Sequence, residues 1–390
     1  MQTVHWLGTG LSTVPGIRRL ARGNRPLVLW NRTVSKAQEA VAGIDNAVDI
    51  RKFDIDALAA AVNPGDIVVS MLPGDWHVKI AELALSRGAH FVSSSYVSDE
   101  MQALDQQAKD RGLCLVNEVG LDPGIDHLMA HSLVHDYKNS SAYSSRNQVF
   151  FRSYCGGFPS IPNDFRYKFS WSPLGVLKAL KSPSRSICGG EPVDVQRPWH
   201  AITNYEAILP GGRRESFQAY PNRDALPFMS AYRFDPGWDV QEFVRGTLRL
   251  SGWSEAWKDV FAEIETLAGP AGDQRLREMS DELWNTQAYD PGEPDRVVLC
   301  VELEARADGQ RVWQQSYSID ALGNANGTAM ARLVSLTVSL AVDAVADGDI
   351  EPGVSAAPAD DAIVQKWFST LTELGEHIER IDHLGEADKA

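Results

Sequence analysis

Thr3-Val4-His5-Trp6-Leu7-Gly8-Thr9-Gly10-Leu11-Ser12-Thr13 is a short apolar strand that runs into a glycine turn. Leu11 to Arg22 follows at helical spacing. Leu27 to Trp30 is a second apolar strand, ending in Asn31-Arg32-Thr33, and Ser35 to Val41 is a second helix. Strand, glycine turn, helix and strand make a βαβ unit. In such a unit the glycines let the backbone approach a pyrophosphate seated on the helix N-terminus. Gly8, Thr9, Gly10 and Leu11 are the expected cradle. The match is GxGxxT, with Thr13 where a third glycine would stand, and a larger residue there is expected to move the helix slightly off the strand.

The end of the second strand selects the nucleotide. An acid there holds a ribose 2′-hydroxyl, whereas an arginine accommodates a 2′-phosphate. The residues are Asn31, Arg32 and Thr33, with Lys36 one turn on and no acid before Glu39. A guanidinium grips phosphate in a bidentate way, so NADP is expected rather than NAD. The competing reading is a solvated basic turn.

Strands and helices go on alternating. Asp66 to Met71 is a buried strand ending at Leu72-Pro73-Gly74, and His90 to Ser93 is another, ending at Ser94-Ser95-Tyr96. Leu113 to Val116 leads into Asn117-Glu118-Val119-Gly120-Leu121-Asp122-Pro123-Gly124-Ile125-Asp126-His127. This order implies a parallel, doubly wound α/β sheet. Its ligands bind outside the carboxyl ends of the strands. Leu72, Pro73 and Leu121 therefore join the cofactor candidates, Ser94-Ser95-Tyr96 faces the cofactor, and the carboxylates of the 117–127 loop are placed where a cofactor and a substrate would meet. Asp122 or Asp126 could instead cap the helix that follows.

Composition excludes several classes. The 390 residues carry a net charge of −15, which argues against nucleic acid or an anionic membrane as partner. Hydrophobic content is 44% and charged content 23%, as in ordinary globular proteins. No apolar run reaches the ~20 residues that span a bilayer. Nothing resembles a signal peptide, so a cytoplasmic protein is expected. The four cysteines, Cys114, Cys155, Cys188 and Cys300, lack metal or disulfide spacing and read as free thiols. No metal is expected.

Past Ser132 the pattern changes. Asn147 to Tyr154, Glu206 to Leu209, Ser216 to Tyr220, Arg296 to Arg306 and Arg311 to Ser318 look like strands. Trp253 to Ala268 and Gln274 to Trp284 look helical. This part reads as an α+β domain with a helical insertion. Thr328 to Ala346 is a long apolar helix, and Asp360 to Ile381 is a closing amphipathic one.

Tyr154-Cys155-Gly156-Gly157 and Tyr167-Lys168-Phe169-Ser170-Trp171-Ser172-Pro173 resemble the glutamate-forming saccharopine dehydrogenase family, also called saccharopine reductase. So do Tyr220 to Asp224, Arg245 to Arg249, Asn117 to His127, Ser95 to Ser98 and Gly327 to Ala331. The resemblance implies a Rossmann-type nucleotide domain over 1–130, completed by a C-terminal helix at about 328–385. It implies an α+β substrate and dimerisation domain over 131–327, with a helical insertion at 253–287. It also implies a homodimer and a reaction on the CH–NH group of saccharopine. In that reaction saccharopine interconverts with 2-aminoadipate 6-semialdehyde and L-glutamate, using NADP(H). Ser95, Tyr96 and Asp122 would hold the substrate beside the nicotinamide. Arg223, Thr247 and Arg249, with Arg245 nearby, would bind its carboxylates, and Cys155 would lie near the reacting centre. The region Ser184 to Pro198 finds no counterpart in the resemblance.

Each candidate has a plainer role beside it. Asp122 could manage protons if burial raises its pKa, or could only cap or orient. Cys155 could transfer protons or be a small buried residue. Arg223 is read as costly to hide without an anion, with Asp224 as a possible structural partner. His5 reads as structural, and His127 is left unassigned. Two other functions remain open: a carboxynorspermidine-type or other imine-reducing dehydrogenase, and a non-enzymatic nucleotide-binding scaffold or redox sensor. The clustered arginines favour a substrate with several carboxylates over a diamine.

Overall fold

Val4–Leu7 and Ile67–Ser70 are buried at every residue, which is how strands covered on both faces look. They lie side by side at the centre of a parallel sheet. The computed structural model describes residues 2–384 and divides into two compact units.

The first unit comprises Met1–Leu128 and Ala325–Leu374. Its strands are β1 (Val4–Leu7), β2 (Leu27–Asn31), β3 (Asp49–Lys52), β4 (Ile67–Ser70), β5 (His90–Ser93) and β6 (Cys114–Val116). With Gly353–Ser355 they form a seven-stranded sheet in the order Gly353–Ser355, β6, β5, β4, β1, β2, β3. Every pairing is parallel. The winding reverses between β1 and β4, the point at which sheets of this kind bind ligands. The core combines Leu7, Trp30, Val68, Phe91 and Leu115 with helix residues such as Ile80 and Leu85.

Helix Ala329–Asp347 belongs to this unit and packs against helix Val14–Ala21. It is 19 residues long with a mean hydropathy of 1.6, long and apolar enough to cross a membrane, contrary to the expectation that no run reaches that length. Its window is 78% buried inside the fold, which accounts for its apolar character. Thr13 is buried and donates to Gly10 O at 2.8 Å. The close helix contact is made one turn later by Gly16, whose amide donates to Ser335 Oγ at 2.8 Å.

The second unit comprises Met129–Asn324 and the chain from Gly375. Its strands are β7 (Gln148–Pro159), β8 (Ser184–Cys188), β9 (Glu191–Val195), β10 (Thr203–Leu209), β11 (Arg213–Pro221), β12 (Asp239–Leu250), β13 (Asp295–Ala307) and β14 (Gln310–Leu322). The main path of its nine-stranded sheet runs β10, β11, β12, β7, β13, β14 and Glu379–Asp382, with β8 joining β12 to β9. β7 is antiparallel to β13, as its alternation suggested, but parallel to β12. The β13–β14 hairpin turns on Asp308-Gly309, both at positive φ, as a type I′ turn requires. Helices Pro173–Lys181, Trp253–Ala256, Lys258–Thr266 and Gly269–Gln287 share an aromatic core with Tyr167, Phe169, Trp253 and Trp257.

The C-terminal stretch read as one helix is two elements. Helix Asp361–Glu373 ends before Gly375, which sits at φ 93°, and Glu379–Asp382 then pairs with β14. The unaligned region Ser184 to Pro198 is mostly the β8–β9 hairpin.

Candidate active site

At the end of β1, Gly8 has φ 98°, and a Cβ there would stand 2.9 Å from Met71 O. Only glycine fits without moving the backbone. Gly10 differs: nothing lies within 4 Å of where its Cβ would be. Its backbone is open to a ligand. Leu11 is half-exposed beside it, and no side chain caps helix Val14–Ala21. Uncapped N–H groups at a helix start suit a phosphate. Asn31 ties the turn to β2, accepting from Thr9 N at 3.3 Å and donating to Thr33 O at 2.8 Å. Arg32 and Thr33 are exposed, and among the described residues Arg32 makes no ion pair or hydrogen bond. Leu72 and Pro73 follow β4 in the adjoining loop, with Leu72 against Gly8. Leu121 is buried, and its backbone carbonyl accepts from Asp126 N at 3.2 Å.

The ends of β4, β5 and β6 carry a linked polar group. The His77 ring lies between Ser70 Oγ (2.9 Å) and Ser95 Oγ (2.8 Å). Burial lowers its pKa to about 4, so the ring is uncharged near neutrality. Tyr96 donates its hydroxyl to Asp122 Oδ1 at 3.1 Å. Glu118 accepts from Val97 N at 2.9 Å with one oxygen and meets His127 Nε2 at 2.7 Å with the other. Asp126, fully buried, accepts from Gly124 N at 2.6 Å, so it is Asp126 that braces the turn. Gly120 N donates to Pro123 O at 2.8 Å, and the Asp122–Pro123 peptide is cis. His127 thus acquires a role, holding Glu118. His5 sits inside the sheet, accepting from Trp30 and paired with Asp66, as a structural residue.

In the second unit β12 carries Arg245, Thr247 and Arg249 at alternate positions, hence on one face. The register sets Thr247 beside Cys155 on β7 and beside Tyr220 on β11. Arg245 is 2% exposed and lies 3.9 Å from the Phe228 ring centroid. Arg249 is 6% exposed, with its guanidinium over Tyr167 (4.9 Å), Trp253 (5.3 Å) and Tyr220 (5.5 Å). It donates to Leu248 O at 3.0 Å, while its Nε has no partner. No carboxylate among the described residues pairs with it. Thr247 Oγ1 accepts from Asn222 Nδ2 at 2.7 Å.

One expectation about this region changes. Arg223 is exposed at φ 55°, so the cost of hiding a charge is no argument for its role. The Asp224 carboxylate accepts from Leu226 N at 3.0 Å, which gives it a structural role within its own turn. Gly156 follows Cys155 on β7. A Cβ there would stand 2.5 Å from Leu248 O, so the glycine serves the packing of β7 on β12. Cys155 is buried and takes part in no disulfide.

Residues 4–116 match the saccharopine dehydrogenase NADP binding domain, and residues 120–376 match the saccharopine dehydrogenase C-terminal domain. The chain belongs to the saccharopine dehydrogenase family. Among relatives of that family, saccharopine dehydrogenase (NADP(+), L-glutamate-forming) of Pyricularia oryzae is 29% identical over 95% of this chain and 97% of its own length. The enzyme of the same name from Schizosaccharomyces pombe is 27% identical over 97% and 98%. The apo structure of saccharopine dehydrogenase (L-Glu forming) from Saccharomyces cerevisiae shares the fold, with a TM-score of 0.79 at 24% identity over 98% of this chain and all of that one.

Several parts of this saccharopine dehydrogenase family member are invisible to sequence reasoning. His77 opens a helix after a loop, and only the sheet brings it to Ser95. The rings around Arg249 come from positions 167, 220 and 253. One signal was available: two arginines four residues apart in a strand share a face.

Proposed function

We propose that the chain is an NADP-dependent saccharopine dehydrogenase of the L-glutamate-forming type. It converts saccharopine, NADP⁺ and water into 2-aminoadipate 6-semialdehyde, L-glutamate, NADPH and a proton, and runs in reverse. The observation that carries this is the β12 face, where two buried guanidinium groups flank Thr247 and one of them, Arg249, has no carboxylate partner among the described residues. A buried charge costs several kcal/mol unless it is paired. A substrate with three carboxylates supplies the missing anion. A diamine substrate would need acids at these positions instead.

Gly8, Thr9, Gly10 and Leu11 would hold the pyrophosphate, and Asn31, Arg32 and Thr33 the 2′-phosphorylated ribose. Leu72, Pro73 and the Leu121 backbone would complete that pocket. The open space at Gly10 and the unengaged Arg32 fit this cofactor. When bound, it supplies hydride exchange at the CH–NH carbon. The chain's residues bind, orient and manage protons. Arg223, Arg245, Thr247 and Arg249 hold carboxylates, and Ser95 and Tyr96 align the reacting end. Water adds to the substrate imine, and the carbinolamine breaks its C–N bond as the nitrogen takes a proton. Asp122, hydrogen-bonded by Tyr96, is the proposed proton carrier for these steps, with Cys155 beside the same substrate. A cytoplasmic homodimer belongs to the same reading.

The test is NADP⁺ reduction with saccharopine and, separately, with carboxyspermidine-type amines. Turnover of saccharopine alone supports the reading. Turnover of the amines instead would replace it with the carboxynorspermidine-type alternative. Nucleotide binding with no turnover of either would favour a scaffold.

A further inference from the structure

His77 stands between two serines at the carboxyl ends of neighbouring strands. Ser70 ends β4 and is fully buried, while Ser95 lies two residues past β5 and is half-buried. A neutral imidazole has one N–H and one lone pair, so the chain Ser70–His77–Ser95 can run in only two directions. In one direction Nδ1–H donates to Ser70, and Ser95 spends its hydrogen on Nε2. The Ser70 hydroxyl hydrogen would then be buried without an acceptor, because among the described residues His77 is the only side-chain partner of Ser70 Oγ. Leaving a buried donor unsatisfied is disfavoured. In the other direction Ser70 donates to Nδ1 and Nε2–H donates to Ser95 Oγ. Every buried hydrogen is then placed, and the Ser95 hydrogen is left to point outward.

We propose that His77 is a positioning residue: it holds the Ser95 hydroxyl as a hydrogen-bond donor to a carboxylate oxygen of the substrate. The inference rests on the saccharopine reading given above. It adds that the direction of donation is set two residues away from the ligand, by the buried hydroxyl of Ser70. The lowered pKa of His77 keeps that direction fixed across the neutral range, because the ring does not gain a second N–H there.

Two substitutions separate the contacts. Glutamine places its amide nitrogen near the position of Nε2 and can still donate to Ser95. Asparagine reaches only the Nδ1 position, toward Ser70. His77→Asn and Ser95→Ala are each expected to raise KM for saccharopine about tenfold, the loss of one hydrogen bond to a charged group, with KM for NADP⁺ unchanged. His77→Gln should recover most of that loss. The double variant His77→Asn/Ser95→Ala should be no worse than Ser95→Ala, since the first acts through the second. Nitrogen-15 spectra of the histidine rings should show His77 as the Nε2–H tautomer, moving toward a mixture in Ser70→Ala. Additive losses in the double variant, an equal rise in KM for NADP⁺, or an Nδ1–H tautomer would overturn the proposal. If the wild-type protein does not oxidise saccharopine, that reading fails by itself. The tautomer then decides whether Ser95 is a donor: an Nε2–H ring keeps the positioning role for another anionic substrate, and an Nδ1–H ring ends it.

Discussion

Gly16 lies directly against Ser335. Its amide donates to Ser335 Oγ at 2.8 Å, and a Cβ on it would stand 2.2 Å from Ser335 O. This contact joins the helix behind the glycine turn to helix Ala329–Asp347, a partner more than three hundred residues away in the chain. Arg19 of the first helix and Arg25, in the segment after it, both pair with Asp343 of the second.

Gly16→Ala should therefore destabilise the first unit even though alanine is the better helix former. The overlap is with backbone, which cannot rotate away, so the helices must separate. Overpacking of this kind costs about 1–3 kcal/mol. Thermal unfolding should show a fall of several degrees, with weaker NADP⁺ binding because the turn moves with its helix. An unchanged Tm would mean that the two helices are not in close contact.

Arg32→Ala should weaken NADP⁺ far more than NAD⁺. The guanidinium is exposed and makes no bond to the described protein, so nothing structural is lost with it. Loss of a charged phosphate contact is worth about 1.5–3 kcal/mol, or about 10- to 150-fold. Comparing kcat/KM for the two cofactors in both proteins checks it. If the ratio does not move, Arg32 is a solvated turn residue.

Arg249→Met should separate function from stability. Methionine keeps the packing among Tyr167, Tyr220 and Trp253 but removes a buried charge. KM for saccharopine should rise about 10- to 150-fold. The Tm should stay level or rise, because the free protein no longer bears the desolvation of an unpaired guanidinium. Arg223→Ala should likewise raise KM for saccharopine, through the loss of a carboxylate partner. A sharp fall in Tm for Arg249→Met would make the arginine a structural member of its aromatic cage.

Stability should decline as pH falls from 6.5 toward 4. His77 has its pKa lowered from 6.5 to about 4 by burial, and His5 and His90 are lowered for the same reason. In that window the unfolded chain binds protons that the folded chain refuses, so the fold loses ground with every step down. Above pH 6.5 the contribution is complete. His77 alone accounts for about 3 kcal/mol at most. Urea midpoints measured between pH 7 and 5 should fall, and His77→Gln should flatten the slope.

What could be read beforehand followed from which physics is local. The central strands are apolar runs bounded by glycine or serine, and their burial is written in those residues. β3 (Asp-Ile-Arg-Lys) was missed because an exposed edge strand carries charges like a loop. The C-terminal helix was read too long because its amphipathic pattern passes smoothly into a strand, and only Gly375 marks the break. The arginines of β12 were named, yet their burial was not, because the rings that cover Arg249 are separated by tens of residues. Arg223 was given the wrong argument, since exposure is decided by what a turn packs against. The Ser70–His77–Ser95 chain has no sequence signature, because strand order brings together a strand end, a helix start and a loop.

The remaining prediction concerns Asp122, which accepts the Tyr96 hydroxyl at 3.1 Å. Its neighbour Asp126 already braces the turn through Gly124 N, so the capping explanation for Asp122 is weakened. Asp122→Asn keeps the shape and can still accept from Tyr96. If Asp122 carries the proton, kcat should fall by about 10²–10⁴, the range for a positioned acid or base, while NADP⁺ affinity barely changes. One limb of the pH profile should also vanish, since that limb reports the ionising group. An Asp122→Asn enzyme that keeps its full bell-shaped profile and loses only Tm would return Asp122 to a structural role. The proton would then have to move through another group near the substrate, and Cys155→Ser would be the next variant to measure.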